Sequence, residues 1–133
     1  MIRFMLDTNT VSSVLKGQSN VVARLATTTP DRICLSVITE AELLYGVAKR
    51  PEARKLRVAV DELLAAIEVL AWNSASARRH ATIRAELERR GRPLGALDLL
   101  IAAHAEQHDA VLVTNDRAFS AVSGLRLEDW TQA

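Results

Sequence analysis

Met1-Ile2-Arg3-Phe4-Met5-Leu6-Asp7-Thr8-Asn9 opens the chain with a short apolar run that ends in a carboxylate and two small polar residues. A buried strand delivers an acidic side chain to the edge of a sheet in this way. The pattern returns at Val111-Leu112-Val113-Thr114-Asn115-Asp116. Between them, strand-like runs alternate with helical patterns, which argues for an α/β fold with a mostly parallel central sheet. Strands are predicted at 2–6, 33–36, 68–71 and 111–114, with a weaker fifth at 125–127. Helices are predicted at about 8–16, 20–28, 38–49, 52–66, 74–90, 96–107 and 117–122. Gly17, Pro30, Pro51, Gly91-Arg92-Pro93, Gly95 and Gly124 punctuate them. No repeat, linker or low-complexity tract interrupts the 133 residues, so one domain spanning 1–133 is expected.

Charge is nearly balanced, at 17 basic and 16 acidic residues, so the whole chain does not announce a nucleic-acid binder. Its distribution says more. Arg78, Arg79, Arg84, Arg89, Arg90 and Arg92 crowd one segment, where they either offer a phosphate-binding face or form a solvated helix face with Glu86 and Glu88. Cys34 is alone within Ile33-Cys34-Leu35, which excludes an internal disulfide and reads as a small core residue. No apolar run approaches the roughly 20 residues of a membrane span, and the N-terminus lacks a signal peptide's regions. A cytoplasmic protein is expected.

The acidic residues carry the chemistry. Asp7 and Asp116 leave their strands at the same sheet edge if those strands are parallel, and open α/β sheets bind ligands there. Asp98 sits in the first turn of a helix whose Leu97, Leu99, Leu100, Ile101, Ala102, Ala103 and Ala105 leave almost no polar face. A carboxylate in such a place needs a partner, hydrogen bonds or a metal. Each acid also has a structural reading. Asp7 and Asp116 fit helix N-caps, Asp98 a dipole-favoured first turn, and Thr39-Glu40-Ala41-Glu42 a capping box. Helical spacing groups residues 37, 41, 44, 47 and 48 as an apolar arc, with Glu42 pointing away from it and Glu40 near it. That spacing leaves open which glutamate faces a cleft. Four carboxylates converging on one crevice would repel unless a hard cation such as Mg²⁺ or Mn²⁺ joined their oxygens.

Histidines add little to this. His104 lies about 120° around the helix from Asp98, and His80 and His108 have no partner at ligand spacing, so all three read as structural or surface residues. No phosphate-binding loop, dinucleotide turn or nucleophile elbow is present.

Taken in order, several segments resemble the PIN-domain family, and within it the VapC-type toxins of bacterial toxin–antitoxin modules. They are Phe4-Met5-Leu6-Asp7-Thr8-Asn9, Ser36-Val37-Ile38-Thr39-Glu40-Ala41-Glu42-Leu43-Leu44-Tyr45-Gly46, Gly91-Arg92-Pro93-Leu94-Gly95, Asp98-Leu99-Leu100-Ile101-Ala102-Ala103-His104-Ala105, Val113-Thr114-Asn115-Asp116 and Gly124-Leu125-Arg126-Leu127-Glu128-Asp129-Trp130. The resemblance implies a three-layer fold with four to five strands flanked by helices. It also implies a metal site of Asp7, Glu42, Asp98 and Asp116, and so selects Glu42 over Glu40. Thr8 or Asn9, and Thr114, are implied as supporting residues. Glu40 departs from the family pattern, in which an apolar residue is common there.

The function implied is a Mg²⁺-dependent endoribonuclease, with Mn²⁺ able to substitute, that cleaves structured RNA such as tRNA. The partners implied are a VapB-type antitoxin and a second copy of the chain. Two rivals are weighed beside it. A haloacid-dehalogenase-like phosphohydrolase would use Asp7, but Asp7-Thr8-Asn9-Thr10-Val11 has Asn where its second Asp belongs. A non-catalytic RNA-binding module of the same fold has no use for four carboxylates that repel phosphate.

Overall fold

The alternating pattern folds into one five-stranded sheet flanked by six α-helices, described over residues 1–133 by a computed structural model. In chain order the elements are β1 (Phe4–Leu6), α1 (Thr8–Leu15), α2 (Ser19–Thr27), β2 (Ile33–Ser36), α3 (Val37–Ala48), α4 (Arg54–Ala66) and β3 (Glu68–Leu70). Next come α5 (Ser74–Arg89), α6 (Ala96–Gln107), β4 (Val111–Val113) and β5 (Leu127–Glu128). The sheet order is β3-β2-β1-β4-β5, and every pairing is parallel. The first strand is therefore central, and β4 crosses back to lie beside it with Met5 opposite Leu112.

Strand side chains alternate between two cores, as a period of two requires. Phe4, Leu6, Ile33, Leu35, Val111 and Val113 face one side, with Val11, Val21, Leu43 and Val60. Met5, Cys34 and Leu112 face the other, with Ile83, Leu87, Leu99, Ile101 and Phe119. Both faces are covered, which is why these strands read as continuous apolar runs. Cys34 is buried as expected, and burial pushes its thiol up to about 11.

Four expectations need correction. Residues 117–122 do not form an α-helix: Arg117–Ala121 is a 3-10 segment, as is Pro30–Arg32. The fifth strand is displaced to Leu127–Glu128. The Thr39–Glu42 capping box is not used, because α3 starts three residues earlier with Ser36 as its N-cap, its Oγ accepting the Ile38 N–H at 3.0 Å. Thr39 is instead buried inside the helix, where its hydroxyl finds no partner. The apolar arc on α3 is also not its buried face. Thr39 and Leu43 are buried, while Ala41, Leu44 and Ala48 are exposed. Entry of the helix from β2 sets its rotation, and surplus apolar residues are left outside.

The basic segment falls on α5 and the turn after it. Arg79 pairs with Glu106, Arg84 with Glu88 and Arg90 with Glu86, so half of that charge is spent on exposed ion pairs. This matches a solvated helix face more closely than a continuous phosphate-binding stripe.

Trp130 closes the edge of the sheet. Its ring lies 5.4 Å from that of Phe4, and the Arg24 guanidinium sits 5.0 Å above it. Its Nε1–H donates to Glu128, which also pairs with Arg24, each at 3.0 Å. Trp130→Ala is expected to cost about 3 kcal/mol or more, as large buried aromatic truncations do, and Trp130→Phe distinctly less. Urea unfolding of the two variants checks this.

Candidate active site

The order 3-2-1-4-5 creates a crevice where the chain's crossovers diverge. After β1 the chain turns into α1, which covers the first core. After β4 it turns into the 3-10 segment, which covers the second. Ligand crevices form at such points, outside the carboxyl ends of the strands. Asp7 follows β1 and Asp116 lies beyond β4, so both line this crevice.

Asp7 is 4% exposed and is the N-cap of α1. Its Oδ1 accepts the Thr10 N–H at 2.7 Å, while its own N–H donates to the Val113 carbonyl at 3.0 Å. Thr10 Oγ1 donates to that same carbonyl at 2.8 Å, which ties the start of α1 to β4. The capping reading is thus correct for Asp7, and it does not compete with a role in a site. A cap uses one oxygen and leaves the other available. Asp116 likewise caps the 3-10 segment, accepting the Ala118 N–H at 2.9 Å. Thr114 Oγ1 accepts the Asp116 N–H at 3.0 Å, and Thr114 also favours the ionised form of Asp7, so it serves both acids.

Glu42 reaches the same edge from α3, where Thr8 Oγ1 donates to its Oε1 at 2.6 Å. Of the two supporting candidates beside Asp7, Thr8 makes this contact and Asn9 is exposed. Asp98 stands in the first turn of α6, half-buried. Gly95 precedes that helix, and a Cβ there would lie 3.6 Å from Asp98 Oδ2.

Electrostatics show that the four acids share one environment. Burial raises the pKa of Asp98 above the ordinary carboxylate value, and the charges of Asp116, Glu42 and Asp7 raise it further, in that order. Burial likewise raises Asp7, with hydrogen bonds from Thr114 and Thr10 opposing it and the charge of Asp116 reinforcing it. No lysine or arginine figures among the influences on either group. The protein thus collects negative charge without supplying its own counter-ion. No three Asp, Glu, His or Cys side chains are close enough to ligate one ion together. Mg²⁺ keeps several waters in its shell, so such a set fits contact partly through water.

Three contributors were not visible in the sequence reading. Thr10 and Ser36 fix the starts of the helices that carry the site, and each is an ordinary N-terminal polar residue by position. His104 is fully buried, and burial lowers its pKa. It is structural, as expected, and its two hydrogen bonds run to β2 and to the end of β3: Nδ1 to Ser36 Oγ at 2.7 Å and Nε2 to the Ala71 carbonyl at 3.1 Å.

The PIN domain family profile matches residues 4–125. The chain belongs to the PIN-domain family. Relatives of this PIN domain include the tRNA(fMet)-specific endonuclease VapC of Shigella flexneri, 37% identical over 98% of this chain and 100% of that one. Ribonuclease VapC2 of Haemophilus influenzae is 34% identical over 98% and 99%. Among solved structures, DNA-bound VapBC from Salmonella typhimurium matches at a TM-score of 0.91 and 38% identity, covering 98% of this chain and 99% of that one. The Asp7–Val11 stretch, just past β1, therefore belongs to a PIN domain and not to a dehalogenase-like phosphohydrolase.

The raised acidities set a pH dependence. A carboxyl that holds its proton more tightly when folded favours folding only while protonated, so its ionised form weighs against the native state at neutral pH. In EDTA at pH 7, Asp98→Asn is expected to be at least as stable as wild type. That advantage should shrink as the pH falls towards the ordinary carboxylate range of about 4. Millimolar Mg²⁺ or Mn²⁺ should raise the wild-type melting temperature more than that of the variant. A wild-type melting curve indifferent to both ions would argue against a shared cation site.

Proposed function

We propose that this PIN domain is a Mg²⁺-dependent endoribonuclease, the toxin of a VapBC-type toxin–antitoxin module, acting on tRNA. The observation that carries the reading is Asp98, on which the charges of Asp116, Glu42 and Asp7 all bear with no protein cation beside them, at the carboxyl edge of a PIN sheet. Nearly full-length relatives named as VapC ribonucleases support it.

Asp7, Asp98 and Asp116 would hold the ion or ions, and Glu42 would serve as a further ligand or orient the attacking water. When bound, Mg²⁺ would lower the water's pKa, polarise the phosphoryl oxygen and align the groups. The chain's own residues do the rest. Thr10 and Thr114 favour the ionised form of Asp7. Thr8 occupies Oε1 of Glu42, which leaves Oε2 to accept a proton of the attacking water. Water oxygen forms a bond to phosphorus as the ester P–O bond breaks, and the departing RNA oxygen takes up a proton to leave as a hydroxyl.

Asp7→Asn is expected to abolish RNA cleavage while keeping the fold, because an amide oxygen still caps α1. Glu42→Gln should lower activity at least about tenfold, in the range for a lost ligand or a lost ligand-orienting group, and Glu40→Gln should leave it largely intact. Cleavage assays with purified protein and Mg²⁺ separate these. Reversed losses at 40 and 42 would mean that the wrong glutamate had been assigned. Sequencing RNA ends after a brief pulse of expression identifies the substrate.

The apolar surface supports the proposed partners. Val22, Leu44, Tyr45 and Val58 are exposed on α2, α3 and α4, and exposed apolar clusters of this kind mark interaction surfaces. A homodimer and a co-purifying antitoxin are expected. Light scattering that finds only a monomer at micromolar concentration, with no small protein co-purifying from the native operon, would count against both. No helix is long and apolar enough to cross a membrane, and a cytoplasmic site of action is part of the proposal.

A further inference from the structure

Two buried titratable side chains, Cys34 and His104, play no part in the proposed chemistry, and of these His104 hydrogen-bonds to the elements that carry the site. His104 lies on α6 six residues beyond Asp98, about 9 Å along the helix axis and about 120° around it. Both ring nitrogens are engaged. The Ala71 carbonyl can only accept, so Nε2 carries the proton and donates at 3.1 Å. Nδ1 is then the lone-pair nitrogen, and it accepts the Ser36 hydroxyl at 2.7 Å. Ser36 Oγ in turn accepts the Ile38 N–H at 3.0 Å and begins α3. The rings of Trp72 and His108 pack against the imidazole at 5.6 and 5.1 Å and hold its plane.

One ring therefore joins α6, which carries Asp98, to the residue that starts α3, which carries Glu42. It also binds the chain just past β3 through Ala71. No other side-chain hydrogen bond runs between α6 and the β2–α3 corner. The two helices come from opposite faces of the sheet's carboxyl edge, and neither Asp98 nor Glu42 bonds the other directly.

We propose that His104 is a positioning residue for the nuclease site: through Ser36 it sets the placement of Glu42 on α3 relative to Asp98 on α6, and with it the affinity of the site for its divalent ion. This rests on the nuclease reading above. The ring does not touch the ion or the substrate. Its part is that of the outer partners that orient metal-binding groups, whose loss typically weakens metal affinity about 10- to 100-fold.

Two amide replacements separate the links. Asn places an amide near Nδ1, so His104→Asn keeps an acceptor for Ser36. Gln reaches the Nε2 position, so His104→Gln keeps the donation to Ala71 and loses Ser36. Mn²⁺ serves as the probe, with binding read from the free-ion paramagnetic resonance signal and cleavage followed across Mn²⁺ concentration. His104→Gln and Ser36→Ala are each expected to weaken Mn²⁺ binding about tenfold, with the cleavage rate restored at saturating Mn²⁺. His104→Asn should weaken it less than His104→Gln, and the double variant should be no worse than the poorer single variant, because both break one link. Wild-type Mn²⁺ affinity in folded His104→Gln or Ser36→Ala, or additive losses in the pair, overturns the inference. Should His104→Gln fail to fold, Ser36→Ala alone decides it in the same way. Asp98→Asn is the control for the underlying reading. If it loses Mn²⁺ binding and cleavage while the His104 and Ser36 variants keep both, only the positioning role falls. If Asp98→Asn itself keeps both, the nuclease reading falls as well.

Discussion

Asp7 is almost wholly withdrawn from water, the charge of Asp116 bears on it, and no basic side chain answers it. Burying a carboxylate in this company is unfavourable unless its charge is met by hydrogen bonds or an ion. Much of the local architecture follows from that constraint. The Thr10 N–H and the Thr114 hydroxyl meet the charge from two elements, and Thr10 and the Asp7 N–H converge on the Val113 carbonyl. Thr10 thus does two things at once: its N–H eases Asp7, and its hydroxyl helps fasten α1 to β4. Removing that hydroxyl would loosen the sheet edge beside the acid.

Threonines and a serine recur around three of the acids. Thr8 donates to Glu42, the Thr10 N–H to Asp7, Thr114 accepts the Asp116 N–H, and Ser36 starts the helix on which Glu42 rides. A hydroxyl can donate to a carboxylate without adding a charge of its own. An arginine in any of these places would neutralise an acid and occupy the crevice. The choice of threonine and serine keeps the acids oriented and the crevice negative, the condition under which a hard divalent cation is the natural complement.

The central strands and the fold class were legible because β1, β2 and β4 are buried on both faces and so appear as unbroken apolar runs. Asp7 and Asp116 were legible for the same reason, since each ends such a run. The start of α3 was not. Thr39-Glu40-Ala41-Glu42 satisfies the pattern of a capping box, but Ser36 lies at the strand's end and takes the cap first. The rotation of α3 was missed with it, because an arc of apolar residues was assumed to face the core when part of it faces outward. Periodicity alone could not separate Glu42 from Glu40; a single hydrogen bond from Thr8, 34 residues away in sequence, brings Glu42 to the start of α1. The link from His104 to Ser36 spans 68 residues and leaves no local trace at all.

The place of β1 in the sheet has a consequence in time. The first strand made is the central one, and its second neighbour, β4, is supplied more than a hundred residues later. Asp7 therefore cannot enter its final setting until Val113 arrives to accept its N–H. Pairings this distant in sequence are the slow steps of folding. A growing chain holds Asp7 apart from that partner until β4 has been made, and the crevice cannot assemble before then.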